Sequence, residues 1–326
     1  TGIVGASVTI LGIMSAKTMN RAGYDVQLAA GTITAGGTLG ILIPPSIMLV
    51  VMGPILNVPV TDLFAAAIMP GLMLAALYTG YTLIRCHLNP SLGPVVPEDL
   101  IPDSMREVWI EFFKGLVPPV LLVGSSLGSI LGGLATPTEG AAMGAVGSIF
   151  LTLAYGKLNF KVFQEALLKT LEITTLIMIL VCASNFFGSV FSRLGTPTMI
   201  TEALMVLDLP PTVILLIVMA LIFLLAWPLE WVPIVLIIIP IVLPLIEQLG
   251  FNLTWFGILV AVNLQTAWLS PPVALSAYFL KGVAPEWDLA DIYKGMMQFM
   301  AIQVVGLALI IIFPQIVLWL PTYLYG

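Results

Sequence analysis

Residues 31–53 read GTITAGGTLGILIPPSIMLVVMG. The stretch is apolar enough for a membrane, yet Gly36, Gly37, Gly40, Pro44 and Pro45 lie in its middle. Neither proline has an N–H to give a helix, and the glycines weaken the turns before them. In lipid, freed backbone groups must be satisfied inside the protein or by a water-filled cavity. The stretch therefore reads as a membrane helix, roughly residues 26–52, broken where it lines a site. The break recurs at residues 263–277, NLQTAWLSPPVALSA, with Pro271 and Pro272. A matching turn precedes each, RAGYD at 21–25 and QLGFN at 248–252. Twenty-one residues separate Gly23 from Pro44, and again Gly250 from Pro271, so both landmarks share an offset of 227. Paired, interrupted apolar segments in two halves point to the binding site of a secondary transporter.

Composition bounds the class. The 326 residues are 60% hydrophobic and 9% charged, with mean hydropathy +1.11; a soluble domain carries about 25% charged residues. An all-α polytopic membrane protein follows, with room for roughly eight crossings of about 20 residues each. The lone His87 argues against His-paired catalysis and multi-His metal sites. GxGxxG, Walker A and HExxH motifs are absent. The chain reads as no enzyme, with no cofactor and no nucleic-acid partner. Cys86 and Cys182 cannot make a disulfide framework, and Cys182, in an apolar run, reads as a small core residue. Residue 1 falls in TGIVGASVTI, which already has the character of a re-entrant turn. The chain therefore reads as a piece lacking its N-terminal membrane segments.

Further spans are expected at 63–84, 114–131, 138–155, 170–191 and 297–320. A polar connection at 86–113 has an amphipathic surface helix at 104–113, and 193–211 is irregular. Residues 212–246 are 35 apolar residues interrupted by WPLEWVP at 227–233. They suit a re-entrant hairpin with its tip at the interruption, followed by a second broken helix at 254–280. Lysine and arginine placement supports this layout. It puts Lys17/Arg21, Arg85/Arg106/Lys114, Lys157/Lys161/Lys169 and Lys281/Lys294 on the cytoplasmic side, with Arg193 left outside. The two halves then run in opposite directions, an inverted repeat in which 228–233 matches 1–6. Residues 1–52 and 212–282 are expected to form the transport part, 53–211 the scaffold, and 283–326 a C-terminal span.

A dehydrated sodium ion wants hard oxygens, which unwound carbonyls and hydroxyls provide. One cation site would set Thr1, Gly2, Gly5 and Ser7 at the first tip against Gly36, Gly37, Thr38 and Pro44. The other would set Leu229 and Glu230 against Asn263, Gln265, Thr266 and Ser270. An anionic substrate would sit between, against Ser7, Pro45, Ser46 and Pro272. Glu230, ionisable in an apolar setting, is a candidate for cation binding, tip structure or proton coupling. Glu139, in ATPTEG, reads as part of a helix cap made by Thr136 and Thr138 with Pro137 in the first turn. The seven tryptophans read mostly as interfacial anchors.

At GTLGILIPPSI, LFAAAIMPG (63–71), GLATPTEGAA and NLQTAWLSPPVAL, the sequence resembles the large membrane subunit of tripartite ATP-independent periplasmic (TRAP) transporters. The resemblance covers essentially the whole chain. It implies a sodium-coupled importer of organic acids in a bacterial or archaeal cytoplasmic membrane. It also implies a small membrane subunit, a periplasmic binding protein and an elevator-type motion. The tip Leu-Glu-Trp-Val-Pro departs from the family's pattern of an acidic residue followed by smaller ones. Three other readings stand beside it: a two-hairpin anion carrier without a binding protein, an intramembrane enzyme, and a passive channel.

Overall fold

A computed structural model describes residues 3–95, 104–206, 208–271 and 274–326. Among these residues the regular structure is helical. The helices are α1 Val4–Arg21, α2 Val26–Leu42, α3 Ile47–Leu56, α4 Val60–Leu88, α5 Met105–Leu131, α6 Pro137–Ala154 and α7 Phe160–Arg193. They continue with α8 Thr196–Met205, α9 Pro211–Leu225, α10 Trp231–Pro233, α11 Ile239–Gln248, α12 Leu253–Leu269, α13 Leu275–Val283, α14 Leu289–Ile312 and α15 Gln315–Tyr325. Among the described residues, five helical segments are long and apolar enough to cross a membrane, and α2–α3, bent by 43°, adds a sixth as one broken span. The chain is a helical polytopic membrane protein.

It divides into two compact units, Thr1–Val95 with Ser184–Gly326, and Val96–Ala183. In the first unit α4 packs on α2, α3 and α12.

Within the first unit, helix boundaries repeat at the offset read from the turns. Residues 4–21 form α1, and residues 231–248, 227 further on, form α10, a π-helical turn Ile234–Ile238, and α11. The widened turn lies where Pro240 has no N–H to offer the Leu236 carbonyl. Residues 26–42 form α2, and residues 253–269 form α12. Both are capped alike. Asp25 accepts from the Leu28 amide at 2.8 Å, and Asn252 from the Trp255 amide at 3.0 Å. Gly23 and Gly250 turn the chain before these caps at φ 77° and 73°, a region open to glycine.

Packing interleaves the two halves. α1 lies on α2 and α13, while residues 231–248 lie on α3 and α8. α14 crosses both broken helices. A Cβ on Gly31 of α2 would sit 2.7 Å from the Gly295 carbonyl, and one on Gly295 would collide with Gln27 backbone. The two helix backbones are therefore in contact, as small residues permit in membrane bundles.

The second unit is built on α5 and α6. Ser126 donates to the Gly140 carbonyl at 2.6 Å, and Tyr155 to the Lys114 carbonyl at 2.8 Å. Between them Gly133 turns at φ 69°.

Several expectations need correction. The surface helix 104–113 and the span 114–131 are one helix, α5, because nothing between them stops it; Pro118 and Pro119 lie inside. The irregular stretch 193–211 contains α8. The final span, placed at 297–320, runs 289–312 and ends before Pro314, with α15 following. Cys182 is exposed, since apolar α7 needs no core to be stable in lipid. Trp255, Trp268 and Trp287 are buried, and the Trp255 indole donates to the Ile310 carbonyl at 3.1 Å. These three are core residues, not anchors.

Candidate functional site

The first break is set by proline chemistry. In an uninterrupted helix the Ile41 carbonyl would take its proton from residue 45, which is proline. Ser46 supplies it instead. Its hydroxyl donates to the Ile41 carbonyl and accepts from the Leu49 amide, so one side chain closes α2 and caps α3. Ser46 and Pro44 are buried, and Pro45 is exposed. Ile43, between the helices, packs into the notch left by Gly71 of α4, where a Cβ would lie 2.5 Å away.

The glycines upstream do not unwind the helix. Gly36, Gly37 and Gly40 are inside α2, so the break is confined to residues 43–46. Gly37 is there for contact: a Cβ would collide with the Val8 side chain and lie 3.1 Å from its Cα. Gly5 does the same toward Phe279, at 2.7 Å. Thr38 is fully buried and donates to the Ala35 carbonyl at 2.8 Å. Ser7 donates to the Ile3 carbonyl at 3.2 Å. Thr1 and Gly2, expected at the first tip, lie outside the described residues.

At the second break a serine again donates to a helix carbonyl, but no side chain caps the helix that follows, α13. The Ser270 hydroxyl donates to the Thr266 carbonyl at 2.6 Å and meets the Met300 sulfur. Thr266 donates to the Asn263 carbonyl at 2.5 Å. Past Pro271 the chain re-enters helix through Ala274, at φ 32°, a left-handed conformation that costs an alanine energy. Pro272, expected to touch substrate, lies outside the described residues.

Asn263, Gln265, Thr266 and Ser270 are all at most 2% exposed. Asn263 donates to the Met219 carbonyl at 2.8 Å, tying α12 to α9. Leu229 and Glu230 are exposed at the turn before α10. Among the described residues no hydrogen bond joins them to α12. The structure thus brings together the polar residues of the second break but not its expected tip partners.

Two site neighbours escaped the sequence reading. Gln303 of α14 donates its amide to Gln265 at 2.7 Å and to the Val262 carbonyl at 3.2 Å, and Met300 stands one turn before it. For Gln303 the only signal was a polar residue inside an apolar span, and Met300 gave none.

The buried hydroxyls share one trait. Thr38, Thr266 and Ser270 each spend their single proton on a helix carbonyl, which leaves oxygen lone pairs for a cation or a donor. The capping reading of Glu139 holds. Its carboxylate accepts from the Thr136 amide and hydroxyl, both at 2.8 Å, and Thr136 accepts from the Glu139 amide at 3.3 Å.

Residues 1–316 match the family described as tripartite ATP-independent periplasmic transporter, DctM component. The chain is 26% identical over 317 residues to the sialic acid TRAP transporter permease SiaT of Haemophilus influenzae, covering 96% of this chain and 50% of that protein. It is 29% identical over 322 residues to the C4-dicarboxylate TRAP transporter large permease DctM of Pseudomonas aeruginosa, covering 98% and 73%. It is 26% identical over 305 residues to the 2,3-diketo-L-gulonate TRAP transporter large permease YiaN of Escherichia coli, covering 92% and 69%. The chain thus spans half the length of the first of these relatives and about seven-tenths of the other two. All three are named as permeases, not enzymes.

Proposed function

The chain belongs to the DctM component family of tripartite ATP-independent periplasmic transporters, and we propose from this that it imports an organic acid, coupled to sodium. The observation that carries the reading is the pair of helix ends at one offset, α2 at Leu42 and α12 at Leu269, each met by a buried serine hydroxyl that donates to a helix carbonyl. Half-helix ends supply oppositely signed dipoles at such breaks, which suits a cation and a carboxylate bound side by side. Thr38, Thr266 and Ser270 offer hydroxyl oxygens to sodium, with their protons already turned toward backbone carbonyls. A carboxylate between the breaks faces the amide ends of the second halves of the helices. The sialic acid, C4-dicarboxylate and diketogulonate named for relatives define the class of acid.

A small membrane subunit and a periplasmic binding protein complete the transporter, in the cytoplasmic membrane of a bacterium. Movement of the hairpins and broken helices gives alternating access. Thermal unfolding of the full-length protein in detergent tests the coupling ion, titrating sodium against choline at constant ionic strength. A ligand that binds only the folded state stabilises it as its concentration rises, by about 2.7 kcal/mol at a hundred times its dissociation constant. A sodium-specific rise that weakens in Thr38→Ala and Thr266→Ala is expected. Identical curves in sodium and choline would refute sodium coupling.

A further inference from the structure

Gln265 and Gln303 are both fully buried, on α12 and α14. Each keeps one polar atom without a hydrogen-bond partner, the Gln265 amide nitrogen and the Gln303 amide oxygen. A buried donor left unpaired in a membrane interior is costly, and such a group calls for an explanation.

Which atom of Gln265 is free is dictated by the backbone. The two ends of a glutamine amide are alike in shape, so their assignment rests on partners. The Val262 carbonyl accepts only, and it stands 3.2 Å from the Gln303 amide nitrogen. Turning Gln303 over would set oxygen against oxygen there. The same nitrogen donates to the Gln265 oxygen at 2.7 Å, so turning Gln265 over would set nitrogen against nitrogen. Both orientations are fixed. The unpartnered atom of the Gln265 side chain is therefore an N–H donor, which suits an anion and not a cation.

The pair lies on α12 and α14 a little over one helical turn before the second break. Met300, one turn before Gln303 on α14, touches Ser270 at the break itself, and Gln265 lies next to Thr266, whose carbonyl accepts from Ser270. We infer that Gln303 is a positioning residue that holds Gln265 with its free N–H as a hydrogen-bond donor to an oxygen of the carried organic acid. The inference rests on the transporter reading above. It predicts that the two ligands respond separately to substitution at this pair. In Gln303→Met, which conserves volume but not the donor, Gln265 is free to turn its oxygen toward the substrate. Gln265→Glu keeps the shape but offers a repelling charge to an anion.

The test is uptake by the full-length protein with its partner subunits in proteoliposomes. Labelled succinate and N-acetylneuraminate serve as probes, across a series of sodium concentrations. With the acid that the wild type accumulates, Gln303→Met is expected to raise KM about tenfold, the size of one hydrogen bond to a charged oxygen. Gln265→Glu is expected to raise it more. Sodium half-saturation stays within twofold of wild type in both. An unchanged KM with only a lower unfolding temperature overturns the inference and leaves the pair as interhelical glue. A shift in sodium half-saturation at constant KM overturns it in favour of a cation ligand. Should Gln303→Met fail to fold, Gln265→Glu, which leaves α14 untouched, decides by the same criteria. Wild-type failure to accumulate either acid overturns the premise and the inference together.

Discussion

Ser46→Ala isolates the physics of the first break. Two bonds end at this hydroxyl, one to the Ile41 carbonyl and one from the Leu49 amide. The residue is 1% exposed, so water does not replace either. Loss of a serine N-cap costs about 1 kcal/mol. A buried carbonyl left without a donor adds roughly 1–3 kcal/mol, and Pro45 has no proton to offer Ile41. Together the change is about 2–4 kcal/mol. For a unit of this size that corresponds to roughly 5–15 °C in the unfolding midpoint. Thermal unfolding of the full-length protein in lipid nanodiscs reads it, with Ser46→Thr as the control that keeps a hydroxyl at the cap. Ser46→Ala within about 1 °C of wild type would refute the reasoning. Equal losses in Ser46→Ala and Ser46→Thr would point to packing instead.

Matched caps make a second test: Asp25→Ala and Asn252→Ala are each expected to destabilise the first unit by about 1 kcal/mol, and unequal midpoints would show that the two turns do different work. Gly37→Leu forces a side chain onto Val8 and is expected to lower the midpoint by the equivalent of about 1–3 kcal/mol; partial recovery in the double variant with Val8→Ala places the strain at the α1–α2 contact. Asn263→Leu breaks the tie to the Met219 carbonyl, so hydrogen exchange along α9 is expected to speed up, while exchange in α5 and α6 stays unchanged. Thr136→Ala opens the cap of α6, and faster exchange at the Thr138, Glu139 and Gly140 amides is the expected sign.

Much of the fold was legible because its signals are local. Pro44 and Pro45 break a helix wherever they stand, through a missing N–H and a ring. Gly23 and Gly250 take a positive φ that disfavours other residues. Asp25, Asn252 and Thr136 cap the amides three residues on. The single offset read from the turns therefore carried over to the boundaries of α1, α2 and their counterparts. The glycines of α2 misled for the same local reason. Their propensity predicts unwinding, but α1 lies close enough that only glycine fits at residue 37.

The sequence by itself determined that this is a helical membrane protein with two matched helix breaks, and its motifs determined the family. Only the tertiary structure decided which segments meet. It put α1 against α13, residues 231–248 against α3, and α14 across both broken helices. It also fixed which way the Gln265 amide faces, through a glutamine 38 residues away and the Val262 carbonyl. The physical reason is the difference in range. Backbone constraints and caps act within a turn of their own residue, whereas partner choice and amide orientation depend on shapes and hydrogen-bond acceptors that distant parts of the chain bring together.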